Sequence, residues 1–184
     1  MSEPIDDKQL LEDFQNESKR NQAFRSIIEK YQKRIYWHLR KMVIDHDDAD
    51  DLTQDTFIKA WSALPEFRQD AQLYTWLYRI ATNEALNFLR KKKNRKNVSI
   101  EGEEYHLTET LKSATYFNGD ALQMKLQQAI LTLPEKQRIV FNMKYFDAIK
   151  YEDMSAILDT SVGALKASYH HAVKKIEAYI TAGN

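Results

Sequence analysis

The stretch from Tyr74 to Lys96 constrains the fold more than any other part of the chain. It contains neither glycine nor proline, so nothing in it interrupts a helix of about six turns. Five apolar residues within it recur at helical spacing: Leu77, Ile80, Ala81, Ala85 and Phe88. This pattern predicts a long amphipathic helix with one buried stripe.

A second face of this helix carries an aromatic ring, two amides and two guanidinium groups: Trp76, Arg79, Asn83, Asn87 and Arg90. The segment then ends in six basic residues between Arg90 and Lys96, Lys91 among them, with no acid. Amides and arginines pair with base edges, aromatic rings stack on unpaired bases, and basic side chains bind phosphates, so this face predicts nucleic-acid binding. The alternative is a core helix with a solvated basic end, which also suits the helix dipole.

The composition favours helices joined by short loops. The 184 residues include only four glycines and three prolines, and 43% are hydrophobic, which is enough for a substantial core. The absence of cysteine excludes disulfides, thiolate zinc sites and a cysteine nucleophile, and fits a reducing cytoplasm. No apolar run approaches membrane-spanning length, and the polar N-terminus does not resemble a signal peptide, so we expect a cytoplasmic protein without membrane insertion.

The net charge is zero, with 27 basic and 27 acidic residues, but the charges are segregated. Six aspartates lie between Asp45 and Asp55, which suggests a separate surface for a separate partner. We expect Asp47 or Asp48 to cap a helix whose inward residues are Leu52, Phe57, Ile58 and Trp61. That orientation leaves four polar side chains outside: Asp48, Asp51, Gln54 and Asp55.

Three interpretations of this acidic segment are open. An acidic helix face would suit a basic protein partner, and the aspartates would also serve as N-terminal capping alone. A calcium-binding loop is the third, but no glycine stands at its sixth position, and Leu52 and Thr53 occupy places where ligands are needed. We therefore expect no metal and no cofactor.

The segments around these two helices are simpler to interpret. Residues 1 to about 16 are acidic and polar, which indicates a frayed end or a short helix. A helix is expected from Lys19 to Val43, because apolar residues recur there at helical spacing. Residues 97 to 118 have no sustained period, and we interpret them as a linker between two domains.

The C-terminal part predicts a helix-turn-helix. Helices are expected on either side of Leu133-Pro134, then from Tyr151 to Leu158 and from Val162 to Tyr179. The last two are joined by a three-residue turn, in which Asp159 tolerates the left-handed conformation and Ser161 caps the following helix. The outer face of the last helix carries small and basic side chains, which favours DNA binding, whereas adjacent His170 and His171 point about 100° apart and do not suit a metal.

Three stretches together resemble one family, the bacterial sigma factors of the extracytoplasmic-function group. DADDLTQDTFIKAW resembles the segment that binds core RNA polymerase. FRQDAQLYTWLYRIATNEALNFLRKKKNR resembles the promoter-melting and minus-ten segment. LTLPEKQRIVFNMKYFDAIKYEDMSAILDTSVGALKASYHHAVKKIE resembles the domain that reads the minus-thirty-five element. The resemblance covers Lys19 to Ala178 except the linker, in the family's order.

The resemblance implies an all-α, non-enzymatic initiation factor with two helical domains, residues 1–97 and 120–184, joined by a linker over 98–119. Its partners would be RNA polymerase core, promoter DNA and an anti-sigma factor. Polymerase would bind Asp48, Asp51, Leu52, Gln54 and Asp55. The minus-ten element would be bound by Phe67, Arg68, Tyr74, Trp76, Arg79, Asn83, Asn87, Arg90 and Lys91. The minus-thirty-five element would be bound by Ser161, Gly163, Lys166, Ser168, His170, His171 and Lys174.

The sequence departs from the family pattern at a few positions. Ser168 and His171 stand where arginines are usual, and Arg is the stronger reader of guanine, so promoter preference does not carry over from the family. Asn87 stands where Asp is frequent. The main alternative function is a stand-alone helix-turn-helix regulator, in which the acidic helix would have no role. An enzyme using the aspartates lacks a coherent ligand set and a nucleophile with a base.

Overall fold

The computed structural model describes residues 6–96 and 121–182. Within these two ranges the chain forms eight α-helices, one short 3-10 helix and no strand, so the predicted all-α class is confirmed. The helices are α1 (Asp7–Gln15), α2 (Arg20–Val43), α3 (His46–Ala63), α4 (Leu73–Lys96), α5 (Ala121–Leu131), α6 (Glu135–Tyr145), α7 (Tyr151–Leu158) and α8 (Val162–Thr181). The predicted linker lies outside the described residues.

The first domain packs α1, α3 and α4 around the long helix α2. Leu77, Ala81 and Ala85 of α4 are fully buried, as predicted, while Ile80 and Phe88 are only half-buried. The sequence indicated a frayed end or a short helix at the N-terminus, and the structure has the helix. It is anchored by buried Leu10, Leu11 and Phe14 and by the Tyr31 hydroxyl, which donates to Asp7 at 2.6–2.7 Å.

The second domain contains the predicted helix-turn-helix. Asp159 ends α7 in the left-handed conformation, with φ 49° and ψ 48°, and the Ala164 amide donates to Ser161 Oγ at 3.3 Å at the start of α8. Both turn predictions are confirmed. Helix α8 packs its inner face against α5, α6 and α7, with Leu165, Ala172 and Ile176 buried.

Two predictions of inward side chains are wrong. Ile58 is 64% exposed and Trp61 is 37% exposed, although the Trp61 ring contacts Phe14 and Phe24. Each lies at the margin of a helical stripe, where a small rotation of the helix decides whether a side chain faces a neighbour or solvent. In α3 the buried stripe is instead Ala49, Leu52, Thr56, Phe57 and Ala60.

The two domains pack against each other. Helix α7 lies along the N-terminal half of α4, and α6 contacts α2. Apolar side chains of both domains belong to one continuous core cluster, in which Leu77 and Tyr78 of the first domain join Met154 and Ile157 of the second. A smaller contact joins Ile44, at the end of α2, to Leu131 of α5.

Candidate nucleic-acid and protein interfaces

An acidic face lies on the solvent side of α3. Asp51, Gln54 and Asp55 are exposed along it, as predicted. Leu52 is only 5% exposed and belongs to the core, so its side chain is not available to a partner. The helix is capped by Asp45, which accepts from the Asp48 amide at 3.0 Å, so the predicted capping by Asp47 or Asp48 is wrong.

Two further features of the acidic face were not predicted. Asp48 is partly buried, because its carboxylate accepts from Lys92 Nζ of α4 at 2.7 Å. Ile58 is exposed and lies one turn beyond Asp55, so the face has an apolar end. The position of Ile58 could have been predicted from its spacing in the sequence. Ile58 follows Asp51 by seven positions and Asp55 by three, and this spacing places all three residues on one side of a helix.

A candidate DNA face lies on α4. Arg79, Asn83, Asn87 and Arg90 are all exposed on one side of this helix, with Lys91 exposed beside them. Arg90 Nη1 donates to Asn87 Oδ1 at 3.4 Å, so two of these side chains already contact each other. The structure therefore brings the predicted amides and guanidinium groups together along about three helical turns.

The loop before α4 brings two aromatic rings together. Phe67 and Trp76 are half-buried with ring centroids 4.9 Å apart, and Arg68 beside them is exposed. Gln69 adopts a positive φ of 59°, which turns the chain sharply at the exposed tip of this loop. A pair of partly exposed rings beside a basic side chain can stack on an unpaired base.

Tyr74 differs from the other predicted residues of this face. Its hydroxyl donates to Asp153 of α7, and its ring lies 5.9 Å below the Arg34 guanidinium. Burial and the hydrogen bond to Asp153 raise the pKa of Tyr74, so the hydroxyl keeps its proton and remains a donor. In this structure the hydroxyl of Tyr74 is therefore bound to a residue of the second domain.

The second candidate DNA face lies on α8. Its exposed residues include Ser161, Gly163, Lys166, His170, His171 and Lys174, while Ser168 is half-buried. A Cβ built at Gly163 would meet nothing within 4 Å, so the start of the helix is open to a large ligand. Lys166 Nζ lies 5.7 Å above the Tyr151 ring, which orients it beside the turn.

Across residues 6–96 and 121–182, no three His, Asp or Glu side chains are grouped so that they could hold a metal ion. None of the described helices is both long and apolar enough to cross a membrane.

Two family models match this chain, one in each domain. The family model for Sigma-70 region 2 matches residues 27–95, and the model for Sigma-70, region 4 matches residues 123–176. The RNA polymerase sigma-H factor of Pseudomonas aeruginosa is 34% identical over 93% of this chain and 92% of its own length. The ECF RNA polymerase sigma-E factor of Escherichia coli K12 is 32% identical over 96% of this chain and 95% of its own length.

Two solved structures have the same fold. The sigma factor RpoE from Bartonella quintana, in complex with the anti-sigma factor NepR, covers 88% of this chain and 98% of its own with a TM-score of 0.70 and 24% identity. CnrH, in complex with the cytosolic domain of CnrY, covers 97% of this chain and 99% of its own with a TM-score of 0.70 and 21% identity. By its two family matches and its curated relatives, this chain belongs to the sigma-70 family of RNA polymerase sigma factors, in the extracytoplasmic-function group.

Proposed function

We propose that this chain binds core RNA polymerase in the cytoplasm and directs it to promoters, using α4 for the minus-ten element and α8 for the minus-thirty-five element. The observation that supports this most directly is the row of exposed Arg79, Asn83, Asn87 and Arg90 on α4, beside the Phe67–Trp76 ring pair. The same domain carries the acidic face on α3. A stand-alone helix-turn-helix regulator would have no need of either surface.

The α4 face suits capture of an opened strand. Unpaired bases stack on aromatic rings, amides and guanidinium groups pair with their edges, and Lys91 and Lys92 lie where a backbone phosphate would follow. Flipping a base costs a few kcal/mol, which the preformed ring pair would offset. The chain itself catalyses no step in this proposal, because binding the open strand is sufficient to hold the duplex apart.

The α8 face suits duplex DNA. The small residues Gly163 and Ala167 leave the N-terminal part of α8 narrow enough to enter a major groove. Lys166, His170 and Lys174 then reach toward bases or phosphates. The domain limits that go with these roles are residues 1–97 and 120–184. We also propose an anti-sigma protein as a partner, since one bound a sigma factor in the Bartonella quintana structure.

The test is a pull-down with purified bacterial core polymerase, followed by run-off transcription on a promoter library. Asp51→Arg places a cation on the acidic face, and we expect it to weaken core binding at least about tenfold, since like charges at an interface cost several kcal/mol. Glu12→Arg is the matched control, because Glu12 is also an exposed acid of the first domain but lies on α1, outside the acidic face of α3.

Three results would argue against the proposal. Equal core binding by the two variants would remove the acidic face as the docking surface. Core binding without promoter-dependent transcripts would argue against initiation. Tight binding to duplex DNA without any association with core would favour the stand-alone regulator.

A further inference from the structure

One side of α2 carries cations where a core helix would carry apolar residues. Five of its residues recur at steps of three and four and therefore share one side of the helix: Lys33, Arg34, Trp37, Arg40 and Lys41. Four of these five are cations, so this side of α2 is strongly positive.

This side of α2 forms one wall of a cleft of about 530 Å³. Another wall belongs to the second domain and includes Gln127 of α5, together with Phe146 and Asp147, which follow α6. Lys33 is exposed, whereas Arg40 is only 4% exposed. The cleft therefore extends from exposed cations at its mouth to a buried guanidinium at its base, and it has walls from both domains.

Positive charge prevails in this cleft. Its lining has four cations, and Asp147 is the one carboxylate among the described lining residues. Burial raises the pKa of Asp147, but its hydrogen bonds with His38 and Lys41 and the positive charge beside it outweigh burial and lower the pKa overall. The ionised carboxylate accepts from Lys41 Nζ, and its Oδ2 lies 3.2 Å from His38 Nδ1. The single negative charge is therefore already engaged.

The cations at the mouth are not neutralised in the same way. Within residues 6–96 and 121–182, neither Lys33 nor Arg34 forms an ion pair with a carboxylate. The guanidinium of Arg34 lies 5.9 Å from the centroid of the Tyr74 ring, which is a neutral partner. Contact with a neutral ring leaves the positive charge in place, so the cleft attracts an anion.

Two aromatic rings line the same cleft, Trp37 from α2 and Phe146 from the second domain. Trp37 is half-buried, and Phe146 is 38% exposed. The Phe146 ring is held by Tyr145, at 4.9 Å between ring centroids, and by Lys41 Nζ, 5.5 Å from its centroid. A ring that is held in place and partly exposed can stack on a flat heterocycle with little further loss of entropy.

Cations and aromatic rings together suit a nucleotide. Arg and Lys pair with phosphate groups, and a guanidinium binds two phosphate oxygens through parallel hydrogen bonds. A base stacks on an aromatic ring, and the amide of Gln127 in the cleft wall offers a donor and an acceptor to a base edge. The volume lies within the roughly 300–1,000 Å³ that is usual for small-molecule sites.

A nucleic-acid strand suits this cleft less well than a single nucleotide. Strands bind along grooves that follow the backbone over several nucleotides, as the exposed row on α4 would allow. This cleft instead ends at the buried side chain of Arg40 and is enclosed between two domains. Such a concave site favours a small ligand.

We propose that this cleft is a regulatory site for a nucleoside di- or triphosphate, whose phosphates bind Lys33, Arg34 and Arg40. The base stacks on the aromatic rings of the cleft. The site is separate from both DNA faces and does not depend on the proposed function. Because its walls come from both domains, a bound nucleotide stabilises their docked arrangement. At about a hundred times its Kd, it raises the ratio of docked to separated domains about a hundredfold.

The first experiment measures binding of ATP, GTP, AMP and inorganic triphosphate to the full chain by isothermal titration calorimetry. Lys33→Glu and Arg34→Glu reverse two exposed charges of the α2 wall. Arg25→Glu is the matched control, because Arg25 is an exposed cation of the same helix that lies about 180° around it from Arg34, outside the cleft. Circular dichroism checks that the helices persist in each variant.

We expect ATP or GTP to bind, and each reversal in the cleft to weaken binding at least about tenfold, because like charges repel at a binding site. Arg25→Glu should leave the affinity unchanged. AMP should bind at least about tenfold more weakly than ATP, since it lacks two phosphates. Inorganic triphosphate should bind roughly fivefold to a hundredfold more weakly than ATP, which corresponds to the loss of one stacked base.

Phe146→Ala tests the wall that the second domain contributes. It removes a ring but no charge, so it should weaken ATP binding by about the factor expected for one stacked base and leave inorganic triphosphate binding unchanged. An equal loss for both ligands would mean that the substitution disturbs the cleft as a whole and would count against stacking on this ring.

A second experiment measures whether the nucleotide holds the domains together. The chain has no cysteine, so Glu29→Cys and Glu177→Cys, both at exposed positions, accept a donor and an acceptor dye without background. Urea is added until half of the energy transfer between the two domains is lost. ATP at about a hundred times its Kd should then restore the transfer almost completely.

Four results would overturn the proposal. Failure of both ATP and GTP to bind would remove the site. Binding that Lys33→Glu and Arg34→Glu leave unchanged, or that Arg25→Glu weakens equally, would place the nucleotide elsewhere, for example on the DNA face of α4. Inorganic triphosphate that binds as tightly as ATP would exclude recognition of a base. Energy transfer that ATP does not restore would exclude a ligand held by both domains.

Discussion

The two candidate DNA faces differ in how much of each is accessible. The face of α8 is open, because the opposite side of that helix is buried within its own domain. The face of α4 is divided: from Arg79 onward it is exposed, but Tyr74, Thr75 and Tyr78 lie under α7. A duplex can therefore reach α8 in this conformation, whereas the N-terminal end of α4 requires the domains to separate.

The two faces differ in accessibility because the two helices bury different numbers of stripes. Helix α8 needs only one buried stripe, so its remaining surface stays available to ligands. Helix α4 buries one stripe in its own domain and a second against α7. Its covered end therefore contributes to domain packing in one state and to binding in the other.

The largest expected effect tests how much the stability of the protein depends on the buried stripe of α8. Leu165 is 1% exposed, and Leu165→Ala should lower the free energy of unfolding by about 2–5 kcal/mol because it leaves a cavity under the open face. Leu122→Ala makes the same chemical change at a position that is 61% exposed and should cost far less. Urea denaturation measures both, and similar losses would mean that α8 does not depend on this stripe.

The next effect sharpens the contrast at the covered end of α4. Tyr74→Phe keeps the ring but removes the hydroxyl that donates to Asp153. We expect domain packing to weaken by about 1.5 kcal/mol, the low end for a bond to a carboxylate, because Tyr74 is only half-buried. Energy transfer between the two domains measures this, with Tyr145→Phe at an exposed site as control. An unchanged transfer efficiency would remove Tyr74 from the contact.

A smaller effect concerns the turn that carries Asp147. Ala148 beside it has φ 53°, a left-handed conformation that is unfavourable for a residue with a Cβ. Ala148→Gly should raise the free energy of unfolding by about 1 kcal/mol. Ala167→Gly, in the interior of α8, should lower it by a similar amount. Calorimetry would contradict this account if both substitutions had the same sign.

The smallest effect tests whether the open face binds phosphates. Lys166→Ala should reduce the slope of log affinity against log salt for a duplex by roughly one unit. Lys136→Ala removes another exposed charge of the same domain, on α6, and should leave the slope unchanged. Fluorescence anisotropy at several salt concentrations measures both slopes, and equal slopes would place the contact elsewhere.

Local patterns predicted the elements well. The Tyr74–Lys96 helix begins at Leu73 in the structure, the helix over α7 has the predicted bounds, and the turn at Asp159 and the cap at Ser161 are as expected. These features depend on residues within a few positions of one another, so the sequence contains their signals. The same holds for the exposed row on α4, whose members share one face by spacing alone.

Contacts between residues that are far apart in the sequence could not be predicted from local patterns. His38 and Asp147 are separated by 109 positions, and neither has neighbours that suggest a buried ion pair. Ile58 and Trp61 were misplaced because hydrophobicity alone does not decide which margin of a stripe is covered. The position of Lys92 against Asp48 likewise depends on how α3 crosses α4, which no single segment determines.

That last contact links the two surfaces of the first domain. The Asp48 carboxylate cannot form a full ion pair with Lys92 and with a basic protein partner at the same time. A partner that takes Asp48 would release Lys92, at the end of α4 where a phosphate would follow, and a phosphate that takes Lys92 would release Asp48. Under the proposed function, each binding event then removes a competitor of the other. Thermodynamic reciprocity requires that polymerase and DNA strengthen each other's binding by the same factor through this pair.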